Sequence, residues 1–296
     1  MTADAKNPFL ISRRQLRRNL DRAAASYDNA SILHAEISTR LLERLDLVKL
    51  KPKAILDAGC GTGSASAELL ARYRGARVTA LDLSEAMLAQ AGRKQRLFRK
   101  FQRVCGDLAC LPLARDSQEL VISNLALHWS DDLDQAISEF ARVLRPGGLL
   151  SFSTFGPDTL GELRAAWATV DSHNHVNLFV DMHDIGDALI RAGFSDPVLD
   201  VEHVTVTYGS LDELLRDLKA TGESNVTSGR PPGLITPRQL KILADAYESN
   251  RNADGLPATY EVVYGHAWAA VPRQRQTRDG ETLVPMDGLR TRQLDR

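Results

Sequence analysis

The sequence predicts an α/β fold built on a doubly wound, mostly parallel sheet. Two observations predict it. Between residues 53 and 155, short apolar runs alternate with helix-period segments, the pattern of parallel strands covered by helices on both faces. The first run, AILDAG, ends in glycines at alternate positions (Gly59, Gly61, Gly63) just before a helix-like segment. That reads as a strand, a tight turn and a helix start, with backbone free to approach a ligand. Composition agrees: 43% hydrophobic and 25% charged residues are ordinary for a globular chain, and 296 residues are about two domain lengths.

Taken in order, residues 12–50 read as helices. Arg13, Arg14, Arg17 and Arg18 share one helical face, and Ile37, Leu41, Leu42 and Leu45 form an apolar stripe. AILDAG (54–59) is the first strand and Ser64–Tyr73 its helix. ARVTALDL (76–83) is the second strand, with Ser84 as N-cap of a helix over 85–96. FQRVCGD (101–107) and ELVISNLAL (119–127) are the third and fourth strands. Leu133–Leu144 is an amphipathic helix, Arg145-Pro146-Gly147-Gly148 its stop, and LLSFSTF (149–155) the fifth strand. Beyond 156, Leu160–Val170, Met182–Ala192, Leu211–Thr221 and Pro237–Asn250 look helical, while VEHVTVTY (201–208) and ATYEVVYGHAW (258–268) look like strands.

Composition excludes several functions. The net charge of −1 offers no field for nucleic acid or an anionic membrane. No apolar run approaches the ~18 residues that span a bilayer, and no secretory h-region opens the chain, so a cytoplasmic protein is expected. Cys60, Cys105 and Cys110 match no metal spacing and read as reduced thiols, so no metal is expected.

The glycine turn lacks the GxGxxG spacing of dinucleotide sites, and Asp57 stands where a pyrophosphate would be repelled. A cationic, hydroxyl-bearing ligand such as S-adenosylmethionine (SAM) suits it better. Asp82, about 20 positions on, ends the second strand where an acid can take both ribose hydroxyls. Asp107 ends the third, where a carboxylate can take the adenine amino group. Ser123 and Asn124, at the end of the fourth, could contact the methionine part. Each acid alone would be a commonplace turn residue; three at successive strand ends are not.

In order, LDAGCGTG, ALDLS, GDLACLPL, SNLALHW and LRPGG resemble the motifs of class I SAM-dependent methyltransferases over roughly residues 53–155. The resemblance implies a Rossmann-like fold with a seven-stranded sheet and a helical lid, the donor over the first two strands and the acceptor above the fourth. It implies a cofactor set of Asp57, Gly59, Gly61, Gly63, Asp82, Leu83, Asp107, Leu108 and Asn124, with S-adenosylhomocysteine as product.

The flanks extend it. RRNLDRAAASYDNAS, FGPDTLGELRAAW, DMHDIGDALIRAGF, DLKATGESN, GLITPRQL and DGLPATYEVVYGHAW resemble the malonyl-acyl-carrier-protein O-methyltransferases of biotin synthesis over about 15–270. That family implies an N-terminal lid over 1–50, a SAM-binding core over 51–156, and the rest of the fold with a lid insertion over 157–270. Residues 271–296, rich in Arg and Gln, read as a mobile tail. Two departures stand out: Leu20 where the family usually has Phe, and Gly222-Glu223-Ser224-Asn225 where many members read GAxN. The GESN form also resembles a mitochondrial complex I assembly factor reported as an arginine hydroxylase. Related enzymes methylate free small acids, a further alternative; a SAM-binding scaffold without turnover is a third.

For a malonyl acceptor the carboxylate is already ionised, so no base is required. The match implies Tyr27 as a lid residue over the donor methyl. His128, beside Trp129 after the fourth strand, is a candidate base or pocket wall. Arg164, Lys219 and Arg230 are candidates to bind the substrate carboxylate. The partner implied is a malonyl-loaded acyl carrier protein, steered by the basic face at 13–18. His173-x-His175 is a possible metal pair that reads more simply as a loop.

Overall fold

The computed structural model describes residues 10–95, 97–231, 233 and 235–271, and the backbone of 276–278 and 281–283. Seven strands, β1 (Ala54–Ala58), β2 (Arg77–Asp82), β3 (Gln102–Cys105), β4 (Gln118–Asn124), β5 (Leu144–Phe155), β6 (Phe194–Tyr208) and β7 (Leu256–Ala269), form one sheet in the order 3-2-1-4-5-7-6. The first five are parallel; β7 runs antiparallel between β5 and β6. The chain winds outward from β1 to β3, then restarts at β4 on the other side of β1. Their carboxyl ends therefore open a crevice where strand order reverses.

Alternate strand residues feed two core layers. Ile55 packs with Leu41, Leu69 and Ala91 on one face, while Leu56 packs with Ile137, Phe140 and Leu189 on the other. The helices involved are α3 (Ile32–Arg44), α4 (Ser64–Arg72), α5 (Glu85–Arg93), α6 (Leu133–Val143) and α8 (Met182–Arg191). Phe140 is fully buried, so truncating it to Ala costs about 3–5 kcal/mol. Side-chain caps fix helix starts: Ser84 accepts the Met87 amide and Asp132 the Gln135 amide.

Two short helices, α1 (Arg13–Ala23) and α2 (Tyr27–Ala30), lie over the crevice, as does α9 (Leu211–Thr221); α10 (Pro237–Glu248) follows α9, and α7 (Gly161–Ala168) follows β5. The face of α1 is tied down at i, i+4 and i+8. Arg13 pairs with Asp107 (2.5 Å), Arg17 with Glu85 (3.1 Å), and Asp21 accepts the Ser84 hydroxyl (2.6 Å).

Several expected boundaries move. β4 ends at Asn124 instead of 127, because Leu125 takes φ 47° and a 3-10 turn follows over Leu127–Trp129. The Arg145–Gly148 turn lies within β5: register steps from Gln118↔Leu144 to Leu120↔Leu149, so those four residues bulge opposite Glu119. β3 is shorter than expected, and β6 begins at Phe194, well before 201, with a register shift at Ser195/Val198. The tail expected over 271–296 falls mostly outside the described residues; within it, Gln276–Arg278 and Glu281–Leu283 pair as antiparallel β8 and β9. Among the described residues, no helix is long and apolar enough to cross a membrane.

Candidate active site

The crevice holds a cavity of about 80 Å³ at the ends of β1 to β4. Gly59, Gly61, Asp82, Leu83, Asp107, Leu108, Asn124 and Tyr27 line it, so most of the sequence-derived set converges. Asp82 is built in by backbone: Oδ2 accepts the Gly61 amide and Oδ1 the Ser84 amide, both at 2.8 Å. Burial nevertheless raises its carboxyl to about 6, against those amides. Asp107 accepts the Ala109 amide through Oδ1 and the Arg13 guanidinium through Oδ2. Arg13, Leu16, Leu20 and Met87 complete this wall from α1 and α5.

A second, adjoining cavity of about 70 Å³ shares Tyr27, Gly59, Gly61 and Asn124 with the first. Asp57 lines it at 1% exposure. Burial raises its carboxyl to about 7, although the Ser66 hydroxyl donates to it. The three acids therefore do not form one row: Asp82 and Asp107 serve the first cavity and Asp57 the second.

Two expectations for this region need correction. Gly63 lines neither cavity; it is the left-handed N-cap of α4 (φ 79°), and a Cβ there would stand 2.7 Å from Ala91 Cβ, so it packs helix against helix. Ser123 donates to Ala58 O inside the sheet at 2.9 Å. Asn124 does reach the cavity wall, held by Ser153 (2.8 Å) and donating to His34 O (3.2 Å).

Beyond Tyr27 lie two larger cavities, of about 230 and 670 Å³. Both border Glu223, which also borders the first cavity. Its side chain is 9% exposed; His34 Nε2 donates to it at 3.1 Å, and His128 Nε2 stands 3.8 Å away. Glu223 is thus the junction of the site, and sequence reasoning marked it only as a departure from GAxN. Arg13 and His34 were also missed, because a helix pattern does not say what lies opposite.

His128 is packed among Trp129, Phe155 and Phe179, and neither ring nitrogen has a partner among the described residues. Burial lowers it to about 4, so it is neutral at pH 7. It forms a wall behind the cavities and makes a poor base. Burial, with Glu223 nearby, pushes the Tyr27 phenol far up, so it stays protonated.

Of the three candidate cations, only Arg230 borders one of these cavities, the 230 Å³ one. Arg164 donates to Pro157 O (3.1 Å) and Thr159 O (3.2 Å) and braces the turn after β5. Lys219 is exposed on α9, outside these cavities. His173 and His175 form no metal pair: Asp171 accepts the His173 amide and His175 Nε2, each at 2.9 Å, while the His175 ring stacks on Trp167 at 3.7 Å. The basic face also divides, since Arg13 and Arg17 are internal ties.

Residues 56–152 match the family model of the methyltransferase domain. The fold resembles that of YcgJ from Bacillus subtilis, with a TM-score of 0.57 at 14% identity over 78% of this chain and 98% of that one. It also resembles Haemonchus contortus phosphoethanolamine N-methyltransferase 2, solved with S-adenosyl-L-methionine: TM-score 0.55, 16% identity, 86% of this chain and 60% of that one. Sequence relatives are nearer. A malonyl-[acyl-carrier protein] O-methyltransferase of Methylovorus sp. is 55% identical over 90% of this chain and 92% of that protein. One of Halorhodospira halophila is 49% identical over 95% and 97%. With a seven-stranded methyltransferase sheet, a convergent glycine–acid crevice and this identity along nearly its whole length, the chain belongs to the malonyl-[acyl-carrier protein] O-methyltransferase family.

Proposed function

We propose that the chain methylates the free carboxylate of a malonyl thioester on acyl carrier protein, with SAM as methyl donor, an early step of biotin synthesis. The observation that carries this reading is the 55% identity to such an enzyme across 90% of the chain. The relatives' names favour it over a protein-modifying factor or a small-acid methyltransferase.

The residues at the crevice suit SAM. A Cβ on Gly61 would meet only the Tyr27 ring, at 3.9 Å, and the adjoining cavities offer both carboxylate and apolar walls. Asp82 takes the ribose hydroxyls, Asp107 the adenine amino group, and Leu83 and Leu108 the ring faces. Asp57, Gly59 and Asn124 hold the methionine end. Bound there, the donor supplies a sulfonium methyl that a carboxylate oxygen takes by in-line displacement, leaving a neutral thioether and no proton to move.

The protein's part is therefore positional. An ordinary carboxylate, with a pKa near 4, is ionised at pH 7 and needs no base, which agrees with a neutral His128 and a protonated Tyr27. Orientation alone can contribute ~7–11 kcal/mol. Tyr27 closes the lid over the methyl and offers a hydroxyl to the acceptor. Arg230 holds the malonyl end of the substrate as a fork-shaped cation. Residues up to 50 and the segment carrying α9 and α10 act as lids on the 51–156 core.

The test is incubation with SAM and malonyl-loaded carrier protein, read by intact mass. A gain of one methyl on the thioester is expected; malonyl left unmodified while SAM binds rejects the reading.

A further inference from the structure

We propose that the malonyl arm enters through the Arg230 cavity and that its acidic carrier docks on the free arginine row of α1 beside that mouth. The proposal rests on the carrier-bound substrate proposed above. Two openings lead to Glu223, and their charge differs. The 670 Å³ cavity is bordered by Glu36, Glu213 and Asp217; Glu36 is paired with Arg40, and the bordering Arg216 with Asp212. That rim repels an acidic carrier and the phosphodiester that tethers its arm. The 230 Å³ cavity is lined by Arg230, and Glu223 is its one bordering acid. Its walls include apolar Leu163, Leu215 and Ile235, and the amide side chain of Asn177, whose Oδ1 accepts the Val226 amide. A largely apolar passage with a side-chain amide in its wall suits a chain that carries amides.

The helix beside this mouth presents charge in two rows. Arg13 and Arg17 are engaged within the protein, paired with Asp107 and Glu85. Arg14, Arg18 and Arg22 repeat at i, i+4 and i+8, are exposed, and have no ion-pair partner among the described residues. The exposed row is joined to the mouth. Gln15 Oε1 accepts Arg230 Nη2 at 3.4 Å, and the Ser12 amide donates to Val226 O at 2.9 Å. Arg18 and Arg22 lie within about 60° of Gln15 around the helix. Arg14, Arg18 and Arg22 therefore form one basic ridge beside the passage, and Arg230 in the passage wall is left for the malonyl carboxylate. Such a ridge speeds encounter and fixes the orientation of an acidic partner.

The test compares malonyl-loaded carrier protein with malonyl-coenzyme A, which brings the same arm without the protein. In the Arg18→Glu/Arg22→Glu variant at low salt, KM for the carrier substrate should rise on the order of tenfold. The KM for malonyl-coenzyme A and kcat should hold, and the gap should close as salt screens the charges. The Arg216→Glu variant, at the rival rim, should behave as wild type. An unchanged carrier KM in the α1 variant, an equal rise with coenzyme A, or a rise confined to Arg216→Glu overturns the docking face while leaving the activity standing. Wild-type protein that methylates neither thioester removes the activity and the docking face with it.

Discussion

Asp82 Oδ2 accepts the Gly61 amide at 2.8 Å, which ties the end of β2 to the glycine turn after β1. The carboxylate is aimed by two backbone amides, Gly61 and Ser84, and not by another side chain. Replacing Asp82 with Ala should therefore leave the turn without its acceptor and the donor without its ribose partner. Binding of SAM should weaken by roughly 1–3 kcal/mol. Titration calorimetry checks this; an unchanged Kd removes Asp82 from the site.

The same residue gives the site a pH dependence. In the free protein, burial raises the Asp82 carboxyl to about 6. Accepting two hydroxyls requires the ionised form. Below pH 6 a proton must leave on binding, and above it none does. The Kd for SAM should be flat above pH 7 and rise by up to about tenfold for each pH unit below 6. Proton release measured in buffers of different ionisation enthalpy checks the linkage. A Kd that stays constant from pH 5 to pH 7.5 would count against it.

The donor half of the site was legible because it follows the chain. Asp82 and Asp107 end strands, and strand ends are marked by where apolar runs stop. Partners across the fold carry no such mark. Gly63 looked like a third ligand glycine, but its neighbour is Ala91 of a different helix. Arg164 and Arg230 look alike in sequence, and only the surrounding turns decide which one faces a cavity. Glu223 meets His34 across 189 residues, and nothing local to either residue encodes that contact.

Asp57 makes a contrasting prediction, on stability. Burial raises its folded-state carboxyl to about 7, above the value near 3.9 of an unfolded chain. Between those values the folded protein holds the extra proton, so stability falls as pH rises toward 7 and is then level. Asp57→Asn lacks that slope and can still accept the Ser66 hydroxyl. Without ligand, the variant should be more stable than wild type by on the order of a few kcal/mol above pH 7. The advantage should shrink on acidification and vanish near pH 4. Denaturant melts at pH 5, 6 and 8 measure it; a constant difference across them would show that the charge is not responsible.

Glu223 should affect donor and acceptor in opposite directions. A carboxylate at the junction attracts a sulfonium and repels an incoming malonyl carboxylate. Glu223→Gln keeps the contact with His34 and removes the charge. Its Kd for SAM should rise and its KM for the malonyl substrate fall, each by about 1–2 kcal/mol for charges roughly 10 Å apart at an effective dielectric of about 20. Glu223→Ala should in addition lower stability by about 1–3 kcal/mol, since it strands a buried imidazole. Affinities for donor and acceptor that move together in Glu223→Gln would place the carboxylate outside the electrostatics of the reaction.

Arg164 and Arg230 separate bracing from binding. The Arg164 guanidinium holds two carbonyls of the turn after β5, and burial lowers its pKa. Arg164→Ala should lower stability by about 1–3 kcal/mol through the two stranded carbonyls, with little change in the malonyl KM of the folded fraction. Arg230 is exposed at its outer end and makes one long contact, to Gln15. Arg230→Ala should melt like wild type and raise the malonyl KM by about tenfold or more, as expected when a fork-shaped cation leaves a carboxylate. Arg230→Lys should restore only part of that affinity, because an ammonium cannot make the paired contact. Thermal melts beside KM values for both proteins decide the matter; the assignment fails if Arg164→Ala moves KM and Arg230→Ala does not.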